Sequence, residues 1–168
     1  AAKIASGKNP GFVVAAAGRV PLTRDAALDR RRGLSPAAAD LLAAIAMLGG
    51  EASDAICRRL LGDEPGDASD TPAPIGELLA AALITRSTLG AGLVYFTLSA
   101  PALAPDLAAA LSSYDLAERV AAALLADPRS PTAALLAVAS ASCSPSQRGA
   151  LLERAAAKAR AEGRTSLE

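Results

Sequence analysis

Residues 83–98 read LITRSTLGAGLVYFTL and carry the clearest structural signal in the chain. Two runs rich in β-branched and aromatic residues lie on either side of a glycine-containing turn, Leu89 to Gly92. This pattern is typical of a β-hairpin. Elsewhere such residues are scarce, whereas the 44 alanines and 25 leucines favour helices. We therefore predict a mostly α-helical protein with one β-hairpin.

Three helices are predicted before the hairpin. The first has Ser35 as its N-cap and Pro36 as its first residue, and it ends at the glycine pair that follows Leu48. The second runs from about Ser53 to Gly62 and the third from Pro74 to Leu83, each with apolar residues at helical spacing. The expected core residues are Leu41, Leu42, Ile45, Leu48, Ile56, Leu60, Leu78, Leu79, Leu83, Val94 and Phe96.

Three short helices followed by a hairpin are typical of a winged helix, which we predict for residues 34–98. The helix at Pro74–Leu83 would take the position of the recognition helix, but Glu77 is its only charged residue. A base-reading helix normally presents Arg, Lys, Asn or Gln to the groove. We therefore interpret the winged helix as an internal packing module.

A second helical region is predicted for the rest of the chain. Helical segments are expected at about 102–111, 114–126, 131–142 and 145–162, and the last two open with Ser-Pro. Because the loops between them are short, antiparallel pairs are favoured. The sequence therefore predicts a repeat-like helical extension.

Charge and composition exclude several function classes. Seventeen basic residues balance seventeen acidic ones, so the electrostatic drive of a free-standing nucleic-acid binder is missing. The chain has no His and no Trp, only two Phe and two Tyr, which argues against imidazole chemistry and against a base-stacking platform. Four carboxylates lie in the Gly- and Pro-rich residues 62–74, where we predict a mobile surface loop.

No residues combine into a catalytic, cofactor or metal site. Gly7-Lys8 is followed by Asn9 and lacks the upstream glycine of a Walker A loop. Cys57 and Cys143, without any His, fall short of a zinc site and are predicted to be reduced, buried residues. Glycines and prolines interrupt the longest uncharged stretch, so we expect no membrane span and a cytoplasmic location.

Four motifs follow one another along the chain. They are residues 6–14 (SGKNPGFVV), 34–50 (LSPAAADLLAAIAMLGG), 77–84 (ELLAAALI) and 148–163 (RGALLERAAAKARAEG). In these motifs and their order, the chain resembles the large ATP-binding LuxR-type transcription regulators, which belong to the STAND class of signal-transduction ATPases. Ala82 stands where that family often has glycine.

The resemblance implies three parts: the end of a preceding ATPase module or linker at 1–33, a winged-helix domain at 34–98, and the start of a repeat arm at 99–168. It also implies that Pro10 contacts the adenine base in the full-length parent. The chain departs from the family in lacking the Walker motifs and the C-terminal DNA-binding domain. We therefore expect no enzyme activity and no cofactor for this chain, with ATP bound only by the parent.

The leading hypothesis is a non-catalytic segment that relays the nucleotide state of a LuxR-like ATPase through domain packing. Its expected partners are the neighbouring ATPase and repeat domains and a second copy of the chain, with DNA bound only by a separate domain and no membrane contact. Two alternatives stay open, one of them a helical adaptor that only oligomerises. The other is a free-standing winged-helix protein whose contacts to DNA phosphates would be Arg30, Arg31, Arg32 and Arg86.

Overall fold

The computed structural model describes residues 22–63, 71–141 and 143–165. Within these residues the chain forms eight α-helices and one three-stranded antiparallel sheet, so the mostly α-helical prediction is confirmed. The helices are α1 (Arg24–Arg31), α2 (Pro36–Met47), α3 (Asp54–Leu61), α4 (Ala73–Ala80), α5 (Ala104–Leu111), α6 (Tyr114–Ala126), α7 (Thr132–Ala139) and α8 (Pro145–Thr165). The strands are β1 (Glu51–Ser53), β2 (Ile84–Leu89) and β3 (Leu93–Leu98).

Serine side chains fix the start of several helices. The hydroxyl oxygens of Ser35 and Ser53 each accept a hydrogen bond at 3.3 Å from the backbone N–H three residues later. Ser113 does the same for α6 at 3.2 Å. Such caps satisfy N–H groups that have no partner inside the helix. The predicted starts of α2 and α3 are therefore confirmed.

Three helices end in the same left-handed turn. After α2 and α3 the turn is made by Gly49 (φ +90°) and Gly62 (φ +78°), which adopt this conformation without strain. After α4 it is made by Ala82, the only non-glycine residue with positive φ in the described part of the chain (φ +53°). There the N–H of Leu83 donates to the carbonyl oxygen of Leu78 at 3.0 Å, as in a Schellman motif.

The sheet has the strand order β1-β3-β2. The predicted hairpin is present, with Arg86 opposite Phe96. Strand β1 was not predicted. It pairs with β3 on the side away from β2, with Ala52 opposite Phe96, and the Leu98 N–H donates to the Gly50 carbonyl oxygen at 2.8 Å. Three residues are too few to show an alternating pattern, so the sequence carried no signal for β1.

Helix α2 forms the centre of the hydrophobic core. Leu42, Ala44 and Ile45 are fully buried, and the helix packs on α4, α5 and α6. Because α5 and α6 follow the sheet in the chain, the core continues across the boundary expected at Leu98. Of the predicted core residues, all are buried except Leu60, Leu79 and Val94, which are partly buried.

Several predicted boundaries differ from the structure. Helix α1 is an addition, in a region interpreted as the end of a preceding module or linker. The third helix begins at Ala73 and ends at Ala80. The last two residues of the loop predicted at 62–74 are therefore helical. Residues 64–70 of that loop lie outside the described ranges. The segment predicted at 131–142 is shorter, and α8 extends to Thr165.

Candidate functional site

Arginines of α1 were one candidate for contacting DNA phosphates. Nη1 of Arg30 donates a hydrogen bond to the carbonyl oxygen of Ala81 at 3.1 Å, and this bond caps the C-terminal end of α4. Arg32 pairs with Asp29 at 2.9 Å. Arg31 is partly buried, and its Nε has no hydrogen-bond partner among the described residues. Arg30 and Arg32 are therefore engaged within the chain.

Two predicted site residues remain, Arg86 and Pro10. Arg86 is exposed on β2 and makes no ion pair in the described ranges. Pro10 lies outside the described residues, so its adenine contact in the parent stays a prediction.

Helix α4, which was predicted to take the recognition position, is bonded to the rest of the chain at two points. Its only charged residue, Glu77, accepts a hydrogen bond through Oε2 from the backbone N–H of Ser35 at 2.8 Å. At its C-terminal end, the carbonyl oxygen of Ala81 accepts the hydrogen bond from Arg30. Ile75 and Leu78 are fully buried on its inner face. The helix thus has no charged group left to present to a nucleic acid.

Neither cysteine is placed for chemistry. Cys57 is fully buried and unpaired, and burial together with the nearby Asp54 carboxylate raises the pKa of its thiol from 9.0 to about 12. A thiol with so high a pKa supplies almost no thiolate nucleophile near neutral pH. Cys143 is also free and buried. The prediction of two reduced, buried cysteines is confirmed.

A groove of about 730 Å³ lies where the sheet meets the helices that follow it. One wall is formed by β1, the first turn of α3 and residues 92–95 of the hairpin; the other is formed by α7 and the loop that follows α6. Its apolar lining residues include Leu48, Ile56, Leu93, Val94 and Ala134. The volume is in the range of ligand and peptide sites in proteins.

Few charges face this groove. Asp54 is paired with Arg58 at 2.7 Å. Asp127 is 8% exposed and accepts a hydrogen bond from the backbone N–H of Arg129 at 3.0 Å. Glu51 is exposed, and Arg129 also lines the groove. The other fifteen lining residues carry no charge.

Helix α8 holds the loop that forms one wall of the groove. Nη2 of Arg154 donates to the Asp127 carbonyl oxygen at 2.7 Å, and its Nη1 also donates to the carbonyl oxygen of Leu125. Nζ of Lys158 donates to the Ser130 carbonyl oxygen at 2.7 Å. The Arg154 bonds satisfy carbonyl groups at the end of α6 that have no partner within that helix, and the Lys158 bond holds the loop just before α7. A displacement of α8 would therefore move this wall.

Among the described residues, no group of three or more His, Cys, Asp or Glu side chains could hold a metal ion. Separately, none of the described helices is both long enough and apolar enough to cross a bilayer.

Comparisons of the chain with protein-family models, with curated proteins and with solved structures found no match. The resemblance to LuxR-type regulators thus depends on the sequence motifs alone.

Sequence reasoning did not identify the groove. Its lining comes from several separate elements, and nine of its nineteen residues are alanine, glycine or proline. One local signal was available: Asp127-Pro128-Arg129-Ser130-Pro131 places two prolines in five residues, a composition typical of a stiff connection between helices.

Proposed function

We propose that this chain is the non-catalytic regulatory segment of a LuxR-like ATPase transcription regulator, in which it relays the nucleotide state by domain packing in the cytoplasm. The observation that carries the proposal is the engagement of α4 inside the chain through Glu77 and Arg30. A helix whose charged contacts are already made internally is suited to transmit position rather than to read bases.

The order of elements supports a winged helix as the packing module. Between residues 36 and 98 the chain runs helix, strand, two helices and two strands, with the first strand paired to the last. Ala82 gives further support, because it adopts the left-handed conformation that favours glycine at the position where the LuxR-type family often has glycine. The left-handed turn that glycine would make in the family motif is thus made here by alanine.

The proposed relay has two packing states. In one state a neighbouring domain fills the apolar groove, and in the other the groove is vacated and α8 shifts with the wall that it holds through Arg154 and Lys158. Discrete packing states of this kind convert a local contact into a displacement of a whole helix. Helices α6, α7 and α8, which pack on one another, would begin the arm that moves.

Two binding measurements on the purified chain test the proposal. Calorimetric titration with Mg-ATP is expected to show no binding, and a gel-shift series with duplex DNA is expected to show no salt-dependent complex. Micromolar ATP affinity would contradict the proposal. So would DNA binding that weakens steeply with salt and is lost in Arg86→Glu, because genuine phosphate contacts have this dependence.

The parent gene provides the decisive test. We expect the coding sequence that flanks this segment to encode a Walker A loop upstream and a helix-turn-helix downstream. The chain should then bind the adjoining ATPase module, and Leu93→Asp in the groove should weaken that binding at least tenfold. Leu89→Asp is the matched control, because Leu89 is exposed on the same hairpin but does not line the groove. Flanking sequence without a Walker loop would overturn the proposal.

A further inference from the structure

We propose that the outer face of α8 is a dimerisation surface, on which α8 of a second copy of the chain packs in antiparallel orientation. This inference does not depend on the function proposed above. Helix α8 has 21 residues and is therefore about 31 Å long. It is covered on one side only, where Leu151 and Ala155 are buried and Arg154 and Lys158 reach the loop after α6.

Apolar and small residues form a continuous stripe on the opposite side of α8. Their spacing alternates between three and four residues, which is the a and d spacing of a heptad repeat and keeps one face toward a partner helix. The stripe consists of Gly149, Leu152, Ala156, Ala159 and Gly163, all of them exposed. Leu152, the largest apolar side chain of the stripe, is 46% exposed.

A two-fold axis between antiparallel copies brings complementary shapes together. If Ala156 packs opposite Ala159 of the partner subunit, the same register places Leu152 opposite Gly163 of the partner subunit. A large side chain then meets the smallest one, and the alanine pair allows the helices to approach closely. A parallel pair would instead set Leu152 against Leu152 and Gly163 against Gly163, leaving a gap at one end.

The same register also brings opposite charges together. Glu153 lies beside the stripe and comes next to Arg160 of the partner subunit, and the two-fold axis repeats the pair with the roles exchanged. Both residues are exposed, and neither makes an ion pair within the described ranges. This charge complementarity identifies a second copy as the occupant. Because the contact spans only four layers of side chains, we expect a dimer that forms at high concentration.

Sedimentation equilibrium between about 10 µM and 1 mM tests the proposal. The mass is expected to rise with concentration from the 16.7 kDa of one chain toward twice that value. Glu153→Arg and Arg160→Glu should each weaken association at least tenfold, and the double variant should restore it because the pair is then inverted. Leu89→Asp on the hairpin is the control and should leave association unchanged. Circular dichroism checks that every variant remains folded.

Disulfide trapping tests the orientation. Ala156→Cys mixed with Ala159→Cys should cross-link the two variants faster than either variant cross-links with itself, because the register places residue 156 opposite residue 159. A chain that stays monomeric at 1 mM, or a double charge reversal as weak as the single ones, would overturn the proposal. Faster cross-linking of Ala156→Cys with itself would overturn the register.

Discussion

The carboxylate of Glu77 accepts a hydrogen bond from the backbone N–H of Ser35 at 2.8 Å, across 42 positions of sequence. Ser35 in turn caps α2 with its hydroxyl group. One residue pair therefore joins α4 to the start of the central helix, α2. The contact explains why the lone charge of α4 is compatible with a partly buried position.

Replacement of Glu77 should be costly. Glu77→Ala removes a charge-assisted acceptor and leaves the Ser35 N–H without its partner, and we expect a loss of about 2 kcal/mol in the free energy of unfolding. Urea denaturation monitored by circular dichroism measures this. Glu51→Ala, at an exposed carboxylate, should change stability by less than about 0.5 kcal/mol. Equal effects of the two substitutions would argue against a structural role for Glu77.

Ala82→Gly should stabilise the protein. Ala82 has φ +53°, where a side chain costs about 1–2 kcal/mol. Part of that gain is offset because glycine increases the entropy of the unfolded chain. We expect a net gain of about 0.5–1 kcal/mol, measured by urea denaturation. Ala80→Gly, at the last helical residue of α4, is the control and should destabilise.

A pair of adjacent glycines offers a test of packing. Gly49 (φ +90°) has open space around it, whereas a Cβ at Gly50 (φ +96°) would lie 3.3 Å from the Cβ of Ala104. Gly49→Ala should cost about 1–2 kcal/mol from backbone strain alone. Gly50→Ala should cost more, because α5 must also move. Thermal denaturation of both variants would show a larger fall in Tm for Gly50→Ala, and the reverse order would contradict this packing.

Arg154→Ala should loosen the wall of the groove while the rest of the core stays formed. The guanidinium donates to carbonyl oxygens at the end of α6, including that of Asp127 at 2.7 Å. We expect a loss of about 2 kcal/mol and faster amide hydrogen exchange in residues 127–131. Arg160→Ala, on the exposed side of the same helix, is the matched control at low protein concentration. Unchanged exchange in Arg154→Ala would contradict the proposed support.

Stability should fall at alkaline pH because of Cys57. Burial and the Asp54 carboxylate raise the pKa of its thiol to about 12, from 9.0 in an exposed chain. Above pH 9 the unfolded chain loses this proton while the folded chain keeps it, so unfolding becomes easier as pH rises. The loss should reach about 2 kcal/mol by pH 10.5. Cys57→Ala should show a shallower slope between pH 8 and pH 10.5, and identical slopes would contradict the assignment.

Local signals in the sequence accounted for much of the fold. Ser35 and Gly49 marked the ends of α2, and the β-branched and aromatic run around Phe96 marked the hairpin, because capping and hairpin formation depend on neighbouring residues. Strand β1 could not be predicted, since it exists only because β3 is there to pair with it. Helix α1 was missed because its arginines and aspartates suggested a solvated linker.

The groove lay beyond sequence reasoning for a different reason. Its walls come from residues as far apart as Leu48 and Ala137, and alanine carries no chemical signal that marks it as functional. The arginine cluster, by contrast, was visible in the sequence, and its composition suggested contacts to DNA. The groups that bind Arg30 and Arg32 within the chain become apparent only in the structure.

Strand β2 lies at an edge of the sheet, and residues 85–89 are exposed along it. Because bonded pairs alternate along an antiparallel ladder and Leu83 bonds Ser99, the backbone groups of Arg86 and Thr88 face away from β3. Such an open edge can recruit strands from other molecules, and a charged side chain hinders this. Arg86 is the only charged residue on β2, so it is the side chain of this strand whose charge would hinder such pairing between molecules.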